Sequence, residues 1–177
     1  MNITVYLGAN QGNDPALKQA VVELAEWVAK SGNTLVYGGS KTGLMGVLGI
    51  SALEAGGTVV GVEPEFFMER DQQLDTLTQL IVTETIAERK TKMIELGDAF
   101  IALPGGTGTL EEIAEVMSKV SLKQIDAPCI LYNLNGYYDH LKALLEHMKE
   151  EGLSPDERQQ GIFFADNLQQ IEAILKD

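Results

Sequence analysis

Cysteine is nearly absent. Cys129 is the only thiol, which excludes an internal disulfide and any multi-cysteine metal site. Its place in the apolar run Pro128–Tyr132 reads as buried filler rather than a reactive thiol. Positive charge is scarce as well: 13 lysines and arginines stand against 26 acids, for a formal net charge of −13. A field of that sign repels nucleic-acid backbones and anionic membranes, so neither is expected as a partner. A small phosphate can still bind where a few cations converge. No segment approaches the roughly 18 apolar residues of a membrane span. The opening MNITVYLGAN lacks the basic and long apolar regions of an export signal. A cytoplasmic protein is expected.

What is present suits one ordered domain spanning residues 1–177. That length buries roughly 70% of the unfolded surface, and 45% apolar with 22% charged residues is ordinary for a globular chain. Eighteen glycines exceed the usual rate of about 7%, and their clustering matters more than their number.

Short β-branched runs alternate with longer helical patterns. Strands are expected at Ile3–Leu7, Thr34–Tyr37, Thr58–Val62, Leu77–Val82, Ala99–Leu103, Pro128–Tyr132 and Ile162–Ala165. A first helix begins at Pro15 behind the cap Asp14 and ends near Gly32. Further helices are expected at Leu44–Ala55, 85–97, Thr109–Lys123, Tyr137–Glu151 and Asn167–Lys176, with Glu63–Thr76 as an irregular segment. Such alternation implies right-handed βαβ units, hence an α/β fold: a Rossmann-like doubly wound parallel sheet with helices on both faces. LVYGG, TVVGV and AFIAL are continuously apolar, as strands buried on both faces are. Ligands of such sheets bind beyond the carboxyl ends of the strands, where three glycine-rich turns fall.

The strongest chemical signal is AFIAL followed by PGGTGTLEE and an amphipathic helix. Gly105, Gly106 and Gly108 lack Cβ atoms, so their amides can close on a phosphate, and the helix starting near Thr109 adds its free amides and dipole. The sequence has no GxxxxGK[ST], and no third glycine completes GxGxxG. Glu112 has two readings. Thr109-Leu-Glu-Glu112 fits a capping box, a purely structural role; alternatively its carboxylate does chemistry. A second element is Glu88-Arg89-Lys90-Thr91-Lys92, a cationic patch in an acidic chain. Arg89 and Lys92 share a helix face and Lys90 lies about 100° round. This is either a solvated face paired with Glu88 and Glu95, or a site where a guanidinium meets phosphate bidentately.

A third element, YGGSKTGLMG, places Gly43 and Gly46 where backbone can approach another helix start, and the GANQGN turn offers Asn10. His140 and His147 lack carboxylate partners at ligand spacing and read as exposed residues, so no metal is expected. Phe66, Phe67 and Met68 are expected to cover the sheet edge.

Together these blocks resemble the LONELY GUY family of nucleoside 5′-monophosphate phosphoribohydrolases, long labelled putative lysine decarboxylases. The family's PGGxGTxxE signature stands as Pro104 to Glu112 and its upstream Arg-Lys pair as Arg89-Lys90; YGGSKTGLMG and GGTVVGVEP match two more blocks. The resemblance implies a homodimer without a cofactor. It would hydrolyse the N-glycosidic bond of AMP, or of an N6-substituted adenosine 5′-monophosphate (a cytokinin nucleotide), to free base and ribose 5-phosphate. It assigns Arg89 and Glu112 as the catalytic pair. The nucleotide site would comprise Lys90, Gly105, Gly106, Thr107, Gly108, Thr109, Leu110 and Glu111, with Asp71, Ser118, Gly39 and Met45 as further positions. The chain departs from the pattern at Ala87, where the family often has His, in GANQG for GSSxG, and at Thr107, often aromatic.

A competing function is a noncatalytic nucleotide sensor on the same fold, since fold does not fix function. Lysine decarboxylation is disfavoured, because it needs pyridoxal phosphate on a Schiff-base lysine and no lysine here stands in such a setting.

Overall fold

The structure is a computed structural model that describes residues 1–68 and 73–176. Seven strands form one sheet in the order β4-β3-β2-β1-β5-β6-β7. Every pairing between these strands is parallel. The strands are β1 (Asn2–Tyr6), β2 (Thr34–Tyr37), β3 (Thr58–Pro64), β4 (Gln79–Thr83), β5 (Ala99–Ala102), β6 (Cys129–Tyr132) and β7 (Ile162–Ala165). The helices are α1 (Pro15–Lys30), α2 (Gly43–Glu54), α3 (Glu65–Met68), α4 (Ile86–Leu96), α5 (Thr107–Ser121), α6 (Asp139–Glu150), α7 (Asp156–Gln159) and α8 (Leu168–Ile174).

The continuously apolar strands are buried on both faces, as their composition requires. Ile3, Leu35, Val59, Ile101 and Ile130 pack with α1, α2 and α8 on one side. Their alternates Tyr6, Val36, Val60, Val62, Phe100 and Leu131 pack with α4 and α5 on the other. Cys129 is fully buried in that second layer, and burial pushes its thiol up. Strand order reverses between β1 and β5, so the topological switch point lies where their two following loops diverge.

Most boundaries move by a residue or two from those expected, and the larger differences have local causes. Glu63 and Pro64 continue β3, and α3 follows at once, so Glu63–Thr76 is not wholly irregular. β4 starts at Gln79 rather than Leu77, because the Thr78 hydroxyl accepts from Val59 N–H at 3.0 Å in place of a ladder bond. α6 starts after Tyr138 because Leu134–Gly136 form a 3-10 turn with Asn135 at φ 51°. α7 was not expected. Asp14 does cap α1, accepting from Ala16 N–H at 2.9 Å.

Among the described residues, no helix is long and apolar enough to cross a membrane, and no group of three His, Cys, Asp or Glu could hold a metal ion. His140 and His147 are exposed. The Phe66 and Phe67 rings lie tilted at 42° with centroids 4.4 Å apart just beyond β3, and Phe66 stays 37% exposed.

Candidate active site

The turn after β5 enters α5 two residues before the expected Thr109, with Gly106 as an extended N-cap and no side chain capping the helix. The first intrahelical bond runs from Leu110 N–H to the Gly106 carbonyl at 3.0 Å. The amides of the preceding turn therefore have no helical acceptor and are free for an anion. The three glycines do different work. A Cβ on Gly105 would lie 2.3 Å from the Thr109 hydroxyl, so Gly105 makes room for the chain itself. At Gly106 and Gly108 a Cβ meets nothing within 4 Å, and neither has a positive φ. Glycine there leaves open space over free amides. Thr109 is buried and its hydroxyl has no partner.

That start of α5 also removes the capping box proposed at Thr109–Glu112. Glu112 lies beyond the first turn and accepts from Arg89 Nη1 at 3.0 Å, joining α5 to α4 with side chains 12% and 14% exposed. The box-like cap sits on α4 instead: Thr85 Oγ1 accepts from Glu88 N–H at 3.1 Å, and the Glu88 carboxylate accepts from Glu84 N–H at 3.0 Å. The cap sets where the first turn of α4 begins and so where Arg89 projects. Arg89 Nε donates to the Val62 carbonyl at the end of β3 at 2.9 Å, which fixes the guanidinium over the carboxyl edge of the sheet. Gly38 provides the room: a Cβ there would lie 2.1 Å from Arg89 Nη2 and 2.4 Å from Met45 Cε.

Lys90, not Lys92, accompanies Arg89 across to α5. Lys90 Nζ reaches Glu111 at 2.7 Å and Glu115 at 3.3 Å, whereas Lys92 pairs with Glu95 on the surface. The hydrogen bond to Glu111 holds the Lys90 ammonium above its usual range. Burial raises the Glu112 carboxyl, and Arg89 opposes the rise. Tyr6, at the end of β1, is 2% exposed with an unpartnered hydroxyl, raised by burial and then by the Glu112 charge. Unpaired buried polar atoms cost about 1–3 kcal/mol each, so their concentration around one ion pair asks for an explanation.

The other expected positions divide. Gly39 is buried with φ +80° against Gly61 and Glu63, and Met45 is half-buried beside Gly38 and so adjoins Arg89. Gly43 and Gly46 do allow close approach, but to the chain's own backbone. Their Cβ atoms would strike the Ala9 and Lys41 carbonyls at 1.8 and 2.1 Å, and Leu44 N–H donates to Ala9 at 3.0 Å. The start of α2 is thus occupied by an acceptor. Thr107, Leu110 and Glu111 are exposed along the start of α5. Ser118 is exposed further along α5, in a groove with Leu153 and Arg158, and is not brought to the pair. Asp71 lies outside the described residues.

A cavity of about 450 Å³ opens at the switch point, lined by Gly8, Asn10, Pro104, Gly105, Gly106 and Tyr137 among others. The Tyr137 hydroxyl donates to the Gly105 carbonyl, and Asn135 Nδ2 donates to Asp14 at 2.7 Å, which ties the β6 loop to its rim. A larger cavity, about 650 Å³ beside Val120, Pro128 and Gly161, lies at the amino edge, away from the glycine turns. Tyr137 and Glu63 were not expected here. A single acid closing the apolar run TVVGVEP was the available signal for Glu63; an exposed aromatic after a strand gives no comparable signal for Tyr137.

Comparison with known proteins adds four findings. Residues 45–175 match the family described as "Possible lysine decarboxylase". The chain is 43% identical over 175 residues to a cytokinin riboside 5′-monophosphate phosphoribohydrolase of Rhodococcoides fascians, covering 98% of this chain and 88% of that one. It is 38% identical over 157 residues to an enzyme of the same name from Arabidopsis thaliana, covering 88% and 74%. The molybdenum cofactor carrier protein of Chlamydomonas reinhardtii shares the fold, with a TM-score of 0.73 at 22% identity over 99% of this chain and 94% of that one.

Proposed function

The chain belongs to the LONELY GUY family, the one described as possible lysine decarboxylases, and from that membership we propose that it is a nucleoside 5′-monophosphate phosphoribohydrolase. It hydrolyses the N-glycosidic bond of AMP or an N6-substituted adenosine 5′-monophosphate, releasing the base and ribose 5-phosphate. One observation carries the reading: a sequestered Arg89–Glu112 pair stands on the same sheet edge as an uncapped glycine turn opening α5.

In this reading the 5′-phosphate sits on the amides of Gly106–Thr109 with Gly105 shaping the turn, and the ribose lies toward Glu112. Breaking the bond between C1′ and the base nitrogen builds positive charge on the sugar, which a nearby carboxylate stabilises. Glu112 holds the ribose hydroxyls or orients the attacking water. Arg89 keeps Glu112 ionised and in place, and with Gly39 and Met45 it forms the wall that receives the nucleotide. Lys90 steadies Glu111 at the mouth. Decarboxylation by Schiff base fits Lys90 poorly, since a nucleophilic lysine needs a lowered pKa and this one is raised.

Incubating the protein with AMP and with N6-isopentenyl-AMP, then separating the bases, tests the function. Free base with equimolar ribose 5-phosphate is expected. Tight AMP binding without release would instead establish a sensor. We place the enzyme in the cytoplasm, where its nucleotide substrate is made, acting without nucleic acid or membrane. It acts as a homodimer, supported by the family resemblance and by exposed Val82, Ile86 and Leu110 near the starts of α4 and α5. A monomeric mass by light scattering at micromolar concentration, with full activity, would refute the dimer.

A further inference from the structure

Glu63, next to last in β3, alternates with Val60 and Val62, which pack toward α4 and α5, and is 2% exposed. Its Oε2 has no hydrogen-bond partner. Arg89 is anchored at 2.9 Å to the carbonyl of Val62, the residue before Glu63, so the guanidinium charge acts on this carboxyl, and the carboxyl in turn acts on Tyr37 in β2. Neither supplies that partner: the Arg89 donors go to Val62 and Glu112, and the Tyr37 hydroxyl donates to the Ser40 carbonyl at 3.2 Å. Gly39, in a backbone conformation that favours glycine, brings the chain close over this carboxyl; a Cβ there would lie 3.6 Å from Glu63 Cδ. One guanidinium charge therefore acts on two carboxyl groups, and of the two only Glu112 is hydrogen-bonded to it.

Two acids in unlike surroundings divide the work of acid and base. The ion-paired Glu112 is the carboxylate. The unpaired Glu63 lies beneath Gly39, where burial raises its carboxyl against the opposing pull of Arg89. Base departure has a matching requirement. A purine leaves poorly as an anion, and an arginine does not give up its proton near neutral pH.

We propose that Glu63 is the acid that protonates the departing base, with Glu112 serving the ribose and water. This rests on the phosphoribohydrolase reading above. As the bond from C1′ to the base nitrogen breaks, its electron pair enters the base and a proton passes from the Glu63 carboxyl to a ring nitrogen, so the base leaves neutral. Water adds its oxygen to C1′ and yields a proton to Glu112. Solvent then returns a proton to Glu63 and removes the one on Glu112.

The test compares Glu63→Gln and Glu63→Asp with the wild type on AMP and on 4-nitrophenyl ribofuranoside 5-phosphate, whose phenolate needs no proton to leave. For Glu63→Gln, kcat on AMP should fall about 10²-fold or more while the nitrophenyl substrate is cleaved within about 2-fold of wild type. The wild-type kcat on AMP should decline on the alkaline side. That limb should persist in Glu63→Asp and vanish in Glu63→Gln, with thermal melting confirming that both variants fold. Equal losses on both substrates, or unchanged AMP turnover, would overturn the assignment. If the wild type accepts only AMP, the pH profiles decide, and an alkaline limb surviving in Glu63→Gln sinks the idea. A wild type that releases no base from any nucleotide refutes the hydrolase reading itself, and this assignment with it.

Discussion

Replacing Glu112 by Gln separates chemistry from architecture at the centre of the site. Gln keeps the length of the side chain and an acceptor for Arg89 Nη1, now 3.0 Å from the carboxylate, but carries no charge. A charge-assisted bond exceeds a neutral one by about 1 kcal/mol. Against that loss, burial already penalises the Glu112 charge, so the net effect on stability should lie between zero and about 1 kcal/mol. For a domain of this size that is a melting shift of at most about 4 °C. Glu112→Ala differs because it strands the Arg89 guanidinium at 14% exposure; breaking a buried pair costs about 3–5 kcal/mol, with the low end expected at this residual exposure. Turnover should fall about 10²-fold or more in both, since stabilisation of the sugar cation is lost. Base release by chromatography, measured beside thermal melting, distinguishes the effects. A folded Glu112→Gln protein with near-normal turnover would remove Glu112 from the mechanism and leave it a brace for Arg89.

Gly38→Ala places a methyl 2.1 Å from Arg89 Nη2 and 2.4 Å from Met45 Cε, both ends of flexible side chains. The fold should survive while kcat drops as the guanidinium is displaced; unchanged kcat would show that its position is not critical. Gly108→Ala should stabilise α5 by about 0.5–1 kcal/mol, because a helical glycine is replaced where a Cβ meets nothing. It should also raise KM for AMP and weaken inhibition by inorganic phosphate, and a more stable variant with unaltered KM would place the phosphate elsewhere. Stability should fall as pH rises above the ordinary carboxylate range. Glu63 and Glu112 both have raised folded-state pKa values, so the native state holds the extra protons there. Glu63→Gln should flatten that decline, as followed by denaturant titration between pH 4 and neutrality, and a decline of wild-type steepness in the variant would show that Glu63 does not hold a proton.

Local pattern was enough for the alternation of strands and helices, for the parallel sheet and for the position of the glycine turns at its carboxyl edge. AFIAL and LVYGG are apolar without alternation, and such strands need cover on both faces. A glycine turn between a buried strand and a helix must then lie at the carboxyl edge. Cys129 was legible as filler for the same reason. What local pattern does not carry is pairing across elements. Arg89 and Lys92 share a face by helical period, yet Lys90 is the residue that crosses to α5 with Arg89. The cause is the sheet order: β4 lies at one edge, so α4 must run back over the sheet to reach β5 beyond β1, and that crossover lays its first turn beside α5. Thr109-Leu-Glu-Glu112 satisfies a capping pattern, but Gly106 takes the cap and Glu112 turns to Arg89. Glycines carry the same ambiguity. Gly43 and Gly46 are filled by the chain's own carbonyls, Gly38 by Arg89 and Met45, while Gly106 and Gly108 stay open. The chain records only the missing side chain; which neighbour takes its space is decided when the sheet closes.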